Sequence, residues 1–182
     1  KTGAAFSITM GGNKVDEQYI LEQLGAIDKI PGKLGLDYIQ VDAGYSPWGD
    51  WLDTKSQFPR GMEFIVREIK KRGLKAGIWL APFVASPTSK LFKNRNSWFL
   101  KDDSGKDIEA RFTSPFDFLP PLQFRVLDVT NPEVKKHLSK VIRQFVKWGF
   151  EFIKTDFTYP GGFCTNYYQP ITRVQAIREG FE

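Results

Sequence analysis

FPRGMEFIVREIKKRGLKAGIWLAPF, residues 58–83, holds both kinds of element on which the fold turns. Met62, Ile65, Val66 and Ile69 recur at helical spacing within Arg60 to Arg72, and the positions between them are mostly charged. Gly73 stops the pattern, because the residue after a helix commonly takes a left-handed backbone that a side chain resists. Lys75 to Leu80 follows with almost no loop, an apolar run of strand length. A helix feeding directly into a buried strand is the repeating joint of α/β proteins, whose parallel strands are linked by right-handed helical crossovers.

Outward from this joint the same alternation continues. Toward the N-terminus, Leu36 to Val41 (LDYIQV) reads as a strand, and Val15 to Ile30 reads as a helix with Ile20, Leu24 and Ile27 on one face and Pro31-Gly32 as its stop. Ala4 to Met10, ending at Gly11-Gly12, reads as the first strand. Toward the C-terminus the periodicity fails from Ala81 to Asn131, apart from a short strand at Arg125 to Leu127. An irregular stretch of this length marks a functional insertion. Thr130-Asn131-Pro132-Glu133 then starts a long helix with Val134, Leu138, Val141, Ile142 and Phe145 as its stripe and Gly149 as its end. Glu151 to Phe157 reads as a further strand, and a last helix runs from about Thr172 to the final residue, Glu182. The expectation is one domain, residues 1–182, of class α/β: about four βα units, half of a TIM barrel. An open nucleotide-binding sheet is disfavoured because Gly11-Gly12 is no GxGxxG turn.

Composition narrows the function. The chain is 15% aromatic and 41% hydrophobic, which supports a large core or a stacking surface and excludes a disordered chain. Its net charge of +5 does not make a nucleic-acid binder, because Arg67, Lys70, Lys71 and Arg72 are interleaved with acids along helical faces. No apolar run reaches the length of a membrane span, so no membrane partner is expected. Cys164 is the only cysteine, so no intrachain disulfide can form, and a cytoplasmic location fits. Cys164 also has no visible companion for a metal or a nucleophilic dyad, and no cofactor is called for.

Functional residues of barrels gather where the strands end, and here those ends read Asp42, Trp79, Asp128 and Asp156. A carboxylate there is desolvated unless something pairs with it, a cost normally accepted at a site. Lys154, two residues before Asp156, projects to the same face of an extended strand and would hold that carboxylate ionised, as a nucleophile requires. Trp48, Trp51 and Trp79 at the rim would offer sugars an apolar face. Structural alternatives stand beside each reading: a turn with Gly44 for Asp42, a capping role for Asp156, a helix start for Asp128, core packing for Trp79, and surface or packing for His137.

Four segments, YIQVDAGYSPWGDW (38–51), FPRGMEFIVREIKKRGLKAGIWLAPFVASPTS (58–89), LDVTNPEV (127–134) and FEFIKTDF (150–157), resemble in order and spacing the catalytic barrel of melibiase-type α-galactosidases. The resemblance implies a retaining glycoside hydrolase acting on terminal α-galactosides, with Asp156 as nucleophile, Lys154 beside it on the sugar, Asp42 holding galactose hydroxyls and Trp79 contacting the sugar. Arg111 and Arg125 both lie where the family presents an arginine. There are also departures. Ala4, Ala5, Phe6, Ser7, Ile8, Thr9 and Met10 replace the family's aromatic first strand, Ala43 stands where a second aspartate is usual, and the acid/base aspartate belongs to a strand beyond residue 182. These departures imply an engineered half-barrel, inactive alone, that closes as a homodimer. Two other readings remain: an active hydrolase whose acid/base comes from a partner chain or from a residue such as Asp50 or Asp53, and a non-catalytic carbohydrate-binding or designed scaffold domain.

Overall fold

A computed structural model describes residues 5–8, 15–112, 122–164 and 166–182. In chain order its main elements are β1 (Ala5–Ile8), α1 (Glu17–Asp28), β2 (Tyr38–Val41), α2 (Met62–Lys70), β3 (Lys75–Leu80), β4 (Val84–Ala85), α3 (Lys90–Asn94), β5 (Glu109–Phe112), β6 (Leu122–Val126), α4 (Pro132–Trp148), β7 (Phe152–Thr155) and α5 (Arg173–Glu179). Of the expected first strand, Ala4, Thr9 and Met10, with the following Gly11-Gly12, lie outside the described residues. Two compact units divide the chain: residues up to 47, 51–80 and 141–155 form the first, and residues 48–50, 81–140 and 156–182 the second.

The first unit carries a parallel sheet in the order β1-β2-β3-β7. Its register sets Ile39 against Ala76, Val41 against Ile78, and Ile78 against Ile153. Strand alternation therefore puts Ile39, Val41, Ala76, Ile78 and Leu80 on one face, and all five are buried. Ile20 and Leu24 of α1, Met62, Ile65 and Ile69 of α2, and Phe145 are fully buried in the same unit. Each such aliphatic side chain removed from water contributes about 1.5–3 kcal/mol. Asp16 caps α1 by accepting from Tyr19 N at 2.9 Å, and Glu17 ties that helix start to Arg60 through an ion pair of 2.7 Å. Gly73 and Gly149, at φ +74° and +96°, end α2 and α4 in the left-handed turn expected of them.

The second unit corrects the expectation of an irregular stretch. Residues 84–126 hold a three-stranded antiparallel sheet in the order β4-β6-β5, besides α3. Strands of two to five residues are too short to show alternation above the noise of composition, so periodicity could not find them. Thr113 to Pro121 lie outside the described residues. Phe83, Leu127 and Val129 form the unit's core with Phe99, Val134 and Leu138. α5 opens with a reciprocal capping box between Thr172 and Gln175 and ends at Glu179, short of the expected Glu182. Gly180 follows it, where a side chain would meet Phe83 Cζ at 2.4 Å.

Candidate functional site

On the opposite face of the parallel sheet the residues are polar or aromatic. Gln40, Gly77 and Phe152 form one row across β2, β3 and β7, and Trp79 and Lys154 pair in the next row toward the strand ends. Asp42, one residue past β2, joins this second row. Its Oδ2 accepts from Gln40 Nε2 at 2.6 Å and lies 3.4 Å from Lys154 Nζ, while its Oδ1 accepts from Ala43 N at 2.9 Å. Gln40 Nε2 also donates to Ser7 Oγ at 2.9 Å, so a polar chain crosses from β1 to β7. Asp42 is buried, whereas the Lys154 side chain is 44% exposed. A nearly buried carboxylate next to an accessible ammonium presents an acceptor and a donor together, which suits a pair of vicinal hydroxyls. Gly77 leaves room for this layer, because a Cβ there would fall 2.8 Å from the Phe152 ring.

Lys154 was expected to serve Asp156. β7 ends at Thr155, so strand alternation does not extend to Asp156, and the carboxylate with which Lys154 forms its ion pair is Asp42. The tryptophan rim also needs correcting. Trp51 and Trp79 are only 2% exposed, with their rings edge to face at 5.8 Å, and the Trp79 carbonyl accepts from the buried Tyr45 hydroxyl at 3.0 Å. Large aromatic surfaces that can bury each other do so, because the gain scales with area removed from water. Burial also pushes the Tyr45 phenol well above its ordinary range.

In the second unit, Asp156 Oδ1 accepts from Phe157 N at 2.8 Å. Phe157 lies among aromatic rings that include Trp48 and Phe124, which stack at 4.2 Å. Asp128 is structural: Oδ1 accepts from Thr130 N and Thr130 Oγ1, and Oδ2 accepts from Tyr168 N at 2.6 Å. Asp50 is likewise engaged. Its two oxygens accept from Lys90 N and Leu91 N at 2.8 and 2.9 Å, which caps α3 and leaves it poorly suited to acid/base work. Arg125 pairs with Glu109 at 3.1 Å, and Cys164 is buried with its thiol donating to the Lys101 carbonyl. Among the described residues no cluster of His, Cys, Asp and Glu could hold a metal, and no helix is long and apolar enough to cross a membrane.

The residues that sequence reasoning missed are Ser7, Gln40 and Phe157. Gln40 had a signal, since it stands two before Asp42 on a strand and so shares its face. Phe157 had none, because a left-handed backbone is signalled by glycine or asparagine and not by phenylalanine.

The family model described as Melibiase matches residues 18–168. Alpha-galactosidase 1 of Pediococcus pentosaceus is 31% identical over 133 residues, covering 68% of this chain and 17% of its own length. Alpha-galactosidase AgaA of Geobacillus stearothermophilus is 23% identical over 135 residues, covering 70% of this chain and 18% of its own. The chain thus spans less than a fifth of the curated relatives it matches. The solved α-galactosidase TtGalA of Thermus thermophilus, in complex with p-nitrophenyl α-D-galactopyranoside, superposes with a TM-score of 0.76 at 28% identity, over 97% of this chain and 34% of that one.

Proposed function

Because the chain belongs to the melibiase family, as the match over residues 18–168 shows, we propose that it forms the nucleophile-bearing part of a retaining α-galactosidase site. The observation that carries this reading is the Asp42–Lys154 pair, which spans β3 from the end of β2 to β7, in the segments by which the chain resembles the family. In this reading Asp42 accepts from galactose hydroxyls and Lys154 donates to them. Trp79 stands between them in that row and lends it a rigid apolar neighbour. The Asp156 carboxylate attacks the anomeric carbon as the leaving oxygen departs, forming a glycosyl ester that water later cleaves.

A leaving group that is a poor base needs protonation by a general acid. By resemblance the family's acid/base aspartate belongs to a later strand, so we propose that this chain alone does not hydrolyse unactivated α-galactosides such as raffinose or stachyose. Dinitrophenolate leaves without a proton, so a dinitrophenyl α-galactoside tests the nucleophile by itself. The expected result is a burst of dinitrophenolate of about one equivalent per chain, with one hexosyl group added to the intact mass. Asp156→Ala should abolish both. A burst of unchanged size in Asp156→Ala would overturn the assignment.

We also propose that the parallel sheet is half of an eight-stranded barrel, with β1 and β7, its outer strands among the described residues, paired by a second copy of the chain. Open edges with accessible apolar neighbours are states that proteins close. Phe6 on β1 and Phe152 on β7 are 39% and 38% exposed, which supports this reading.

A further inference from the structure

Gln40 is a polar side chain only 2% exposed, two residues before Asp42 and on the same face of β2. Burying an amide is unfavourable unless its hydrogen bonds are made. Its Nε2 carries two protons, and two acceptors stand within reach: Asp42 Oδ2 at 2.6 Å and Ser7 Oγ at 2.9 Å. The reverse orientation would turn the Gln40 carbonyl oxygen to the carboxylate, acceptor against acceptor, so Asp42 fixes which way the amide lies. Asp42 is fixed in return. Ala43 N holds Oδ1 at 2.9 Å while Gln40 holds Oδ2, and rotation about the last side-chain bond would break both bonds. Lys154 cannot supply this restraint, because its ammonium lies 3.4 Å away on a side chain 44% exposed, where it is screened by water and free to move. Of the roughly four lone pairs of a carboxylate, the two firm bonds take two and leave the others for Lys154 and for a ligand hydroxyl.

We propose that Gln40 is a positioning residue for galactose recognition: it presets the plane of the Asp42 carboxylate, and Ser7 in turn secures the Gln40 amide. This rests on the reading of Asp42 as an acceptor of galactose hydroxyls. A carboxylate free to turn would lose that freedom when the sugar binds, and preorganisation removes the loss. The effect of Gln40 on the sugar passes through Asp42, so a substitution at Gln40 should change only what Asp42 does.

Calorimetric titration of the whole chain with galactose and its monodeoxy analogues tests this. Asp42→Ala first marks the hydroxyls that Asp42 accepts, because it weakens least the analogues that lack them. Gln40→Met, similar in length but without the amide protons, should weaken galactose about tenfold and rank the analogues in the same order. Added to Asp42→Ala, it should change galactose affinity by less than about twofold. Ser7→Ala should give the same ranking with a smaller loss. If Gln40→Met weakens every sugar alike, or weakens galactose as much beside Asp42→Ala as alone, the residue only packs and the proposal is overturned. An unchanged galactose affinity overturns it too.

A second measurement leaves Gln40 in place. In proton–nitrogen correlation spectra its two Nε2 protons should respond separately: Asp42→Ala should move the one on the short bond upfield, and Ser7→Ala chiefly the other. Two protons that both stay in place in Asp42→Ala would overturn the brace. If instead Asp42→Ala binds galactose as the wild type does, the reading of Asp42 as a sugar ligand fails, and these shifts still decide whether Gln40 holds its carboxylate.

Discussion

Lys154 and Asp42 are 112 residues apart in sequence and 3.4 Å apart in space. Their pair adds little to stability, because an accessible ammonium on a carboxylate contributes about 0–1 kcal/mol. Lys154→Met should therefore leave the thermal midpoint nearly unchanged while weakening galactose binding, measured by calorimetry. A variant that binds galactose as the wild type does would remove Lys154 from the site. His137 gives a residue-scale prediction of another kind. Its ring lies 5.6 Å from Trp98, and burial first, then the nearby Lys140 ammonium, holds its pKa below the ordinary 6.5 against a smaller opposite pull from Asp50. The unfolded chain then takes up a proton that the folded one resists. Stability should thus be full above the unfolded value, begin to fall as pH drops through it, and go on falling until the lower folded value is passed. Urea unfolding from about pH 7.5 to about pH 5 should show this slope, and His137→Gln should flatten it.

At the scale of elements, the two kinds of helix end and the buried stripes set the energetics. Ile65 is fully buried on α2, so Ile65→Ala should destabilise the fold by about 2–5 kcal/mol in denaturant titration. Asp50 caps α3 through two backbone N–H groups, so Asp50→Ala should cost about 1 kcal/mol and leave the dinitrophenolate burst intact. An unchanged midpoint in urea unfolding would show that these two bonds do not cap α3. α2 and α4 were legible in sequence because their stripes are long and glycine follows them, and β3 because it is an apolar run of strand length just after Gly73. The β4-β6-β5 sheet was not, because its strands are held by pairing with one another, and a pairing partner is a non-local fact. The candidate site divides in the same way. Asp42, Lys154 and Asp156 are visible as strand-end residues, but the partner of Lys154 follows from the register of three strands.

For the whole molecule, the edges of the parallel sheet, where β1 and β7 each pair on one side only among the described residues, carry the prediction. Sedimentation velocity at micromolar concentration should find a dimer that dissociates on dilution, with the thermal midpoint rising with protein concentration. A concentration-independent monomer would show that the edges need no second copy. By itself, the sequence determined the alternation of helix and strand, the family and the residue types at the strand ends, because periodicity, stops and motif order are written locally. Only the tertiary structure decided that Lys154 lies on Asp42, that Trp51 and Trp79 bury each other, and that Phe157 takes a left-handed backbone next to Asp156. Each of these depends on which distant side chains come within a few ångströms, and that is set by register and packing.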